Sequence, residues 1–235
     1  MLQVRNLRKE FTMHVQGNKH IVSFRDVSFD VNQGQFLAIT GPSGIGKSSL
    51  LKCIYRTYLP TAGEIWFTSK TGEQVNLADA DDHRILRLRN EEIGYISQFF
   101  HVIPRVSTLN VIVDALTSRG YDSQESEDKA KQYLLRVGIP KALWEMYPST
   151  FSGGEKQRIN IVQALITEPR LLLLDEPTAS LDPRTKREVT ELIRELKRKG
   201  TAMIGIFHDY ETMEQLADIR YDFAKKSLQT EAFYS

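Results

Sequence analysis

The sequence contains one cysteine, Cys53, and no stretch of like charge long enough to form an interaction arm. A lone cysteine excludes an intramolecular disulfide and suits a reducing cytoplasm, where the expected role is that of a small buried hydrophobe. Long apolar runs are missing as well. None approaches the roughly 18 to 20 residues of a membrane helix, and the charged N-terminus does not read as a signal peptide, so no direct membrane insertion is expected. Thirty-one Lys and Arg balance thirty Asp and Glu to a net charge of +1. That balance withholds the basic excess of a phosphate-backbone binder, so no nucleic-acid partner is expected. The short basic string Lys197, Arg198 and Lys199 reads as the solvated end of a helix. What remains is ordinary for a folded globular chain: 235 residues, 41% hydrophobic and 26% charged, enough to bury a sizeable core in one large domain or one domain with an inserted lobe.

From Leu2 to Val31, short alternations such as Val22, Phe24 and Val27 predict antiparallel strands around a turn at Gln16, Gly17 and Asn18. The apolar run from Gln35 to Thr40 predicts a buried strand. It leads into a glycine-rich loop and then a helix carrying Leu50, Leu51 and Ile54, ended by Tyr58, Leu59, Pro60 and Gly63. A hairpin follows in EIWFTSKTGEQVNL. Between Gln98 and Thr167 the pattern turns helical, with Ala130, Tyr133, Leu134 and Val137 on one face and Gly138 as a C-terminal cap. The run LLLLDE after Arg170 suits a central parallel strand. Asp182 and Pro183 supply an N-cap and first-turn proline for a helix bearing Val189, Leu192, Ile193 and Leu196, and TAMIGIF is the next strand. The alternation predicts an α/β fold with a parallel sheet and right-handed crossovers. No glycine turn leads to a final strand after ADIRYDF, so none is expected there.

Gly41 to Ser48, GPSGIGKS, matches the P-loop pattern in its strand-to-helix setting. Its glycines let backbone N–H groups curl around phosphate oxygens, while the helix that follows presents its positive end. Within Gly41, Pro42, Ser43, Gly44, Ile45, Gly46, Lys47, Ser48 and Ser49, the ammonium of Lys47 is expected at the β- and γ-phosphates and the Ser48 hydroxyl on Mg²⁺. Asp175 ends its strand at the same sheet edge and can hold Mg²⁺. Glu176, one residue on, is the candidate to orient an attacking water. Ser152, Gly153 and Gly154, in FSGGEKQR, offer a hydroxyl and open amides at a helix start, a second phosphate-binding surface.

Placed ahead of LLLLDEPTASLD, the FSGGEKQR segment resembles the signature sequence of ATP-binding-cassette (ABC) ATPases, and the resemblance covers essentially the whole chain. It implies a P-loop NTPase core with an N-terminal antiparallel β subdomain, residues 1–97 and 168–235, and an inserted helical subdomain, 98–167. It also implies ATP and Mg²⁺ as cofactors. Gln98 matches the Q-loop glutamine that touches Mg²⁺ and senses the γ-phosphate. Ser180, Leu181 and Asp182 match the D-loop, and His208 the switch histidine. Phe11 lies where the family stacks an aromatic on adenine, and Glu155 stands where the family more often has Gln. A second cassette is implied as partner, head to tail, so that Ser152 to Gly154 of one chain meet the nucleotide held by Lys47 of the other.

The stretches YLPTAGEI, YISQFFHVIPRVSTLNVI, PSTFSGGEKQRINI and MIGIFHD look like the L-type cassette subunit of the bacterial carbon-phosphorus lyase system. That resemblance implies a soluble, cytoplasmic ATPase attached to the lyase core complex in phosphonate catabolism. Phe99 to Pro104 is apolar enough to dock a partner in this reading or the next, or else forms core of the helical lobe. The alternative is the ATP-binding subunit of a membrane transporter of the lipoprotein-release or export type. A nucleotide-gated assembly factor with little turnover is a third reading, and intact Glu176 and His208 argue against it.

Overall fold

The computed structural model describes residues 1–13, 19–97 and 104–229. The expected turn at Gln16 to Asn18, Gln98, and Phe99 to Ile103 of the docking segment therefore lie outside the described residues.

Two sheets organise the chain. Strands β1 (Leu2–Met13), β2 (Lys19–Val31), β4 (Ala62–Thr68) and β5 (Gln74–Asn76) form an antiparallel sheet in the order β2-β1-β4-β5. Strands β3 (Phe36–Thr40), β6 (Ile93–Ile96), β7 (Leu171–Asp175), β8 (Ala202–Ile206), β9 (Ile219–Asp222) and β10 (Ser227–Gln229) form the second, in the order β10-β9-β3-β8-β7-β6. All of its pairs are parallel except β9 with β10. The α-helices among the described residues are α1 (Lys47–Ile54), α2 (Asp82–Glu91), α3 (Thr108–Thr117), α4 (Ser123–Arg136), α5 (Gly153–Leu165), α6 (Pro183–Arg198) and α7 (Tyr210–Leu216).

Strand β7 shows why its sequence is apolar throughout. Successive side chains of a strand point to opposite faces, and here both faces are covered. Leu171 and Leu173 join a core shared with α1 and the antiparallel sheet, which includes Leu2, Phe67 and Leu50. Leu172 and Leu174 join the core on the other face, with Ile112, Leu134, Ile159 and Leu192 from α3, α4, α5 and α6. Gly205 in β8 is dictated by the same packing. A Cβ there would lie 2.7 Å from the Phe36 ring and 2.6 Å from that of Phe207. Cys53 is fully buried in the first core, where burial pushes its thiol up to about 12 and leaves it inert.

Local signals account for the helix ends. Asp182 caps α6 by accepting from the amides of Arg184 and Thr185 at 3.1 and 3.0 Å, with Pro183 in the first turn. Gly138 follows α4 at φ 74°, and Ile139 N donates back to the Leu134 carbonyl at 2.8 Å. Two features differ from expectation. Helix α2 occupies a stretch with only Ile85 and Leu88 buried, too sparse a stripe to read as a period. A final strand, β10, does exist: Asp222 Oδ1 accepts from Ala224 N and Lys225 N, and Lys226 at φ 52° takes the left-handed position where glycine was sought. The basic string does form the solvated end of α6, and it adds ion pairs that the sequence does not show, Lys197 with Asp218, Arg198 with Glu191 and Lys199 with Glu168. No helix among the described residues is long and apolar enough to cross a membrane.

Candidate nucleotide site

Buried β3 delivers the chain to the sheet edge, where Gly41, Gly44 and Gly46 adopt φ of 141°, 76° and 107°. At Gly46 glycine is required twice over, by φ and because a Cβ would sit 2.6 Å from the Ser23 carbonyl oxygen. Pro42 and Ser43 are exposed in the loop, and Ile45 anchors it against the first core. Gly46 N-caps α1 without a side-chain hydrogen bond, which leaves the first helical amides open to an anion. Lys47 Nζ is folded over the loop and donates to the carbonyls of Gly41 and Pro42, each at 2.8 Å. Burial holds its pKa below the ordinary lysine value, opposed by the charges of Glu176 and Asp175. Ser49 follows in the first turn, half-buried.

Two strands away, β7 ends on Asp175, only 3% exposed. Its Oδ1 accepts from Ser48 Oγ at 2.9 Å and its Oδ2 from Tyr95 OH at 3.1 Å. Burial raises the carboxyl above the usual range, against the pull of those two bonds. Glu176 leaves the strand at φ 54°, a left-handed conformation that costs of order 1–3 kcal/mol in a non-glycine residue and turns its side chain out of the strand's alternation. Its amide donates to the Ile206 carbonyl at 3.0 Å, and its Oε1 lies 2.7 Å from His208 Nε2. His208 follows β8 and is positioned from the next residue: Asp209 caps α7 and pairs with Lys186. A cavity of about 180 Å³ between Lys47, Gly41, His208 and Tyr210 opens beside these groups.

Other expected residues stand apart. Ser152 caps α5 in a reciprocal box with Glu155, whose Oε2 accepts from Ser152 N at 2.9 Å and Ser152 Oγ at 2.7 Å. Gly153 is open, and Gly154 packs close to the Ser180 carbonyl, a Cβ there lying 3.2 Å from it. None of Ser152, Gly153 and Gly154 lines the cavity at Lys47. Asp182 faces Arg158 at 3.6 Å beside the same loop. Phe11 is likewise not at that cavity: its ring meets Tyr58 in a T-shape at 5.3 Å, with Lys9 Nζ 4.6 Å from its centroid. Sequence reasoning passed over Tyr95, which the period-two alternation from Ile93 places on one face of β6. It also passed over Asn160 and Gln157, whose amides reach the Ser97 carbonyl at 2.9 and 3.5 Å and so tie α5 to the residue preceding Gln98.

A phosphate-shaped glycine loop, a lysine and a serine–aspartate pair of hard oxygens define a P-loop nucleotide hydrolase. The donor set fits Mg²⁺, which takes one or two protein oxygens and fills its shell from phosphates and water. The chain belongs to the ABC transporter family, whose model matches residues 24–179; it is an ABC-type ATPase and its cofactors are ATP and Mg²⁺. It is 36% identical over 212 residues to the lipoprotein-releasing system ATP-binding protein LolD of Alcanivorax borkumensis, covering 90% of this chain and 89% of the relative. The glutamine transport ATP-binding protein GlnQ of Escherichia coli is 33% identical over 218 residues, 92% and 85% of the two chains. The fold superposes on the ATP-binding cassette MJ0796, a dimer in a post-hydrolysis state with ADP and Pi, at a TM-score of 0.86, 25% identity and 98% coverage of both chains.

These relatives correct the pathway expected from the sequence. They are transporter ATP-binding proteins, so the phosphonate function and the lyase-complex partner are withdrawn. Of the stretches that suggested them, PSTFSGGEKQRINI and MIGIFHD fall on the start of α5 and on β8, YLPTAGEI follows α1 and enters β4, and the described part of YISQFFHVIPRVSTLNVI falls on the end of β6 and the start of α3. The nucleotide site that β6 and β8 lead into does not encode the process it drives.

Proposed function

We propose that this chain is the ATP-hydrolysing subunit of a membrane transporter, working at the cytoplasmic face as one of two cassettes that close on ATP. The observation that carries the reading is the gathering of Lys47, the Ser48–Asp175 pair and the Glu176–His208 pair on one sheet edge. Lys47 and the amides of Gly41 to Ser49 bind the phosphates. Ser48 and Asp175, with Gln98, hold Mg²⁺, which when bound neutralises phosphate charge. Glu176 polarises the attacking water, and His208 fixes the carboxylate that does so. Ser152, Gly153 and Gly154, with Glu155 and Asp182 nearby, act on the nucleotide of the other cassette, while Phe11 serves adenine once its contact with Tyr58 gives way. Residues 98–167 form the moving lobe, and 1–97 with 168–235 the nucleotide-binding body.

The membrane component is assigned to a polar groove of about 360 Å³ lined by Tyr55, Arg89, Asp114, Arg119 and Asn160. It opens where α2, β6, α3 and α5 meet, and Asn160 in its lining donates to the Ser97 carbonyl. A photo-crosslinker at Asp114, in membranes from cells expressing the chain, should capture an integral membrane protein that stimulates ATP hydrolysis on reconstitution. Capture of soluble proteins alone would overturn the reading.

A further inference from the structure

Asp175 divides its oxygens between two donors, and the function proposed above uses only one of them. Ser48 Oγ takes Oδ1, while Oδ2 belongs to Tyr95. Tyr95 is in register with Leu173 across the β6–β7 pair, so Asp175 lies two residues further along the neighbouring strand, on the same face. Its ring stacks on Tyr55 with centroids 4.9 Å apart and planes 27° from parallel. The Arg89 guanidinium lies 4.4 Å from the Tyr55 centroid, and its Nε donates to the Tyr55 carbonyl at 2.7 Å. All three side chains line the groove.

A carboxylate held at one oxygen can still turn about its terminal torsion, which is broad for Asp. A second donor on a ring that is itself clamped removes that freedom, and outer donors of this kind orient metal ligands. We infer that Tyr95 is a positioning residue: its hydroxyl fixes the Asp175 carboxylate in the orientation that receives Mg²⁺, and the Tyr55–Arg89 stack links that carboxylate to the groove proposed for the membrane component. The inference rests on the reading of Asp175 as a metal ligand.

The test uses the full chain with Glu176→Gln, so that ATP persists, and Mn²⁺ as the probe, its free concentration read by electron paramagnetic resonance at saturating ATP. Tyr95→Phe keeps the ring and removes only the hydroxyl. It should weaken Mn²⁺ binding about tenfold, with metal-free ATP affinity unchanged. Asp175→Asn should weaken it at least as much, and the double variant no more than Asp175→Asn alone, since Tyr95 acts through Asp175. Parental Mn²⁺ affinity in Tyr95→Phe, or losses that add in the double variant, would overturn the role of Tyr95. Parental affinity in Asp175→Asn would instead overturn the metal reading beneath it. Should Tyr95→Phe fail to fold, Tyr55→Leu carries the test, because it loosens the stack and leaves the hydroxyl: a severalfold weakening supports the inference and parental affinity defeats it.

Discussion

Replacing His208 by alanine separates a catalytic contact from a structural one. The His208 side chain is 61% exposed and touches Glu176 at 2.7 Å, so its loss should hardly disturb the fold. An exposed pair contributes about 0.2–1 kcal/mol, and for a domain of this size each kcal/mol moves Tm by about 2–4 °C. A shift of at most about 4 °C is expected. Glu176 keeps its left-handed backbone and its amide bond to Ile206, but its carboxylate loses the His208 contact that orients it toward the attacking water in the proposed function. Positioned acid–base groups supply roughly 10²–10⁴ in rate. The predicted loss in kcat is therefore about 100-fold or more, equivalent to about 2.7 kcal/mol, with ATP affinity within about threefold of the parent because Lys47 and the loop amides are untouched. Thermal unfolding, equilibrium binding of ATP and steady-state phosphate release measure the three quantities on one preparation. Unchanged turnover, or an equal loss of affinity and turnover, would refute the assignment of the pair.

The remaining predictions concern binding and acid stability. Lys47→Ala should lose ATP affinity by more than about tenfold, whereas Glu176→Gln should bind normally and stall hydrolysis, since one removes a ground-state charge contact and the other a group used in the transition state; equal affinity losses in titrations of both variants would count against this division. Arg136 on α4 donates to both carboxylate oxygens of Glu195 on α6, at 3.0 and 2.8 Å, and holds that carboxyl below the usual range. A depressed carboxylate pKa stabilises the fold above the unfolded value near 4.3 and loses that stabilisation as pH falls through the folded value. Urea unfolding should accordingly find Glu195→Gln less stable by up to about 1 kcal/mol at pH 7 and level with the parent in acid, and a pH-independent gap would contradict the pairing.

Elements whose sequence carries its own physical cause were legible. GPSGIGKS needs its glycines for backbone reasons alone, LLLLD is apolar because both faces of β7 are covered, and Asp182–Pro183 announces a helix start. What escaped depends on partners distant in sequence. Tyr95 reads as an ordinary strand aromatic until its register against β7 brings it to Asp175. Helix α2 owes its place to two buried residues and an Asp81 cap, and β10 to an aspartate-anchored turn with a lysine where glycine was sought. The T-shaped contact of Phe11 with Tyr58, which follows α1, joins residues too far apart in sequence to be read from it. The process served was the least legible feature, because the chemistry of a nucleotide site does not encode the process it drives.

Within one chain Ser152 to Gly154 do not line the cavity at Lys47, and in the function proposed above a second cassette completes the site. Light scattering of Glu176→Gln with saturating ATP and Mg²⁺ tests this directly. The mass should be twice the 27.0 kDa of the chain and fall back to that of a single chain with ADP, because in the proposed arrangement only ATP supplies the phosphate that bridges the two subunits. A single-chain mass at saturating ATP, with Tm raised enough to show that the nucleotide is bound, would contradict it.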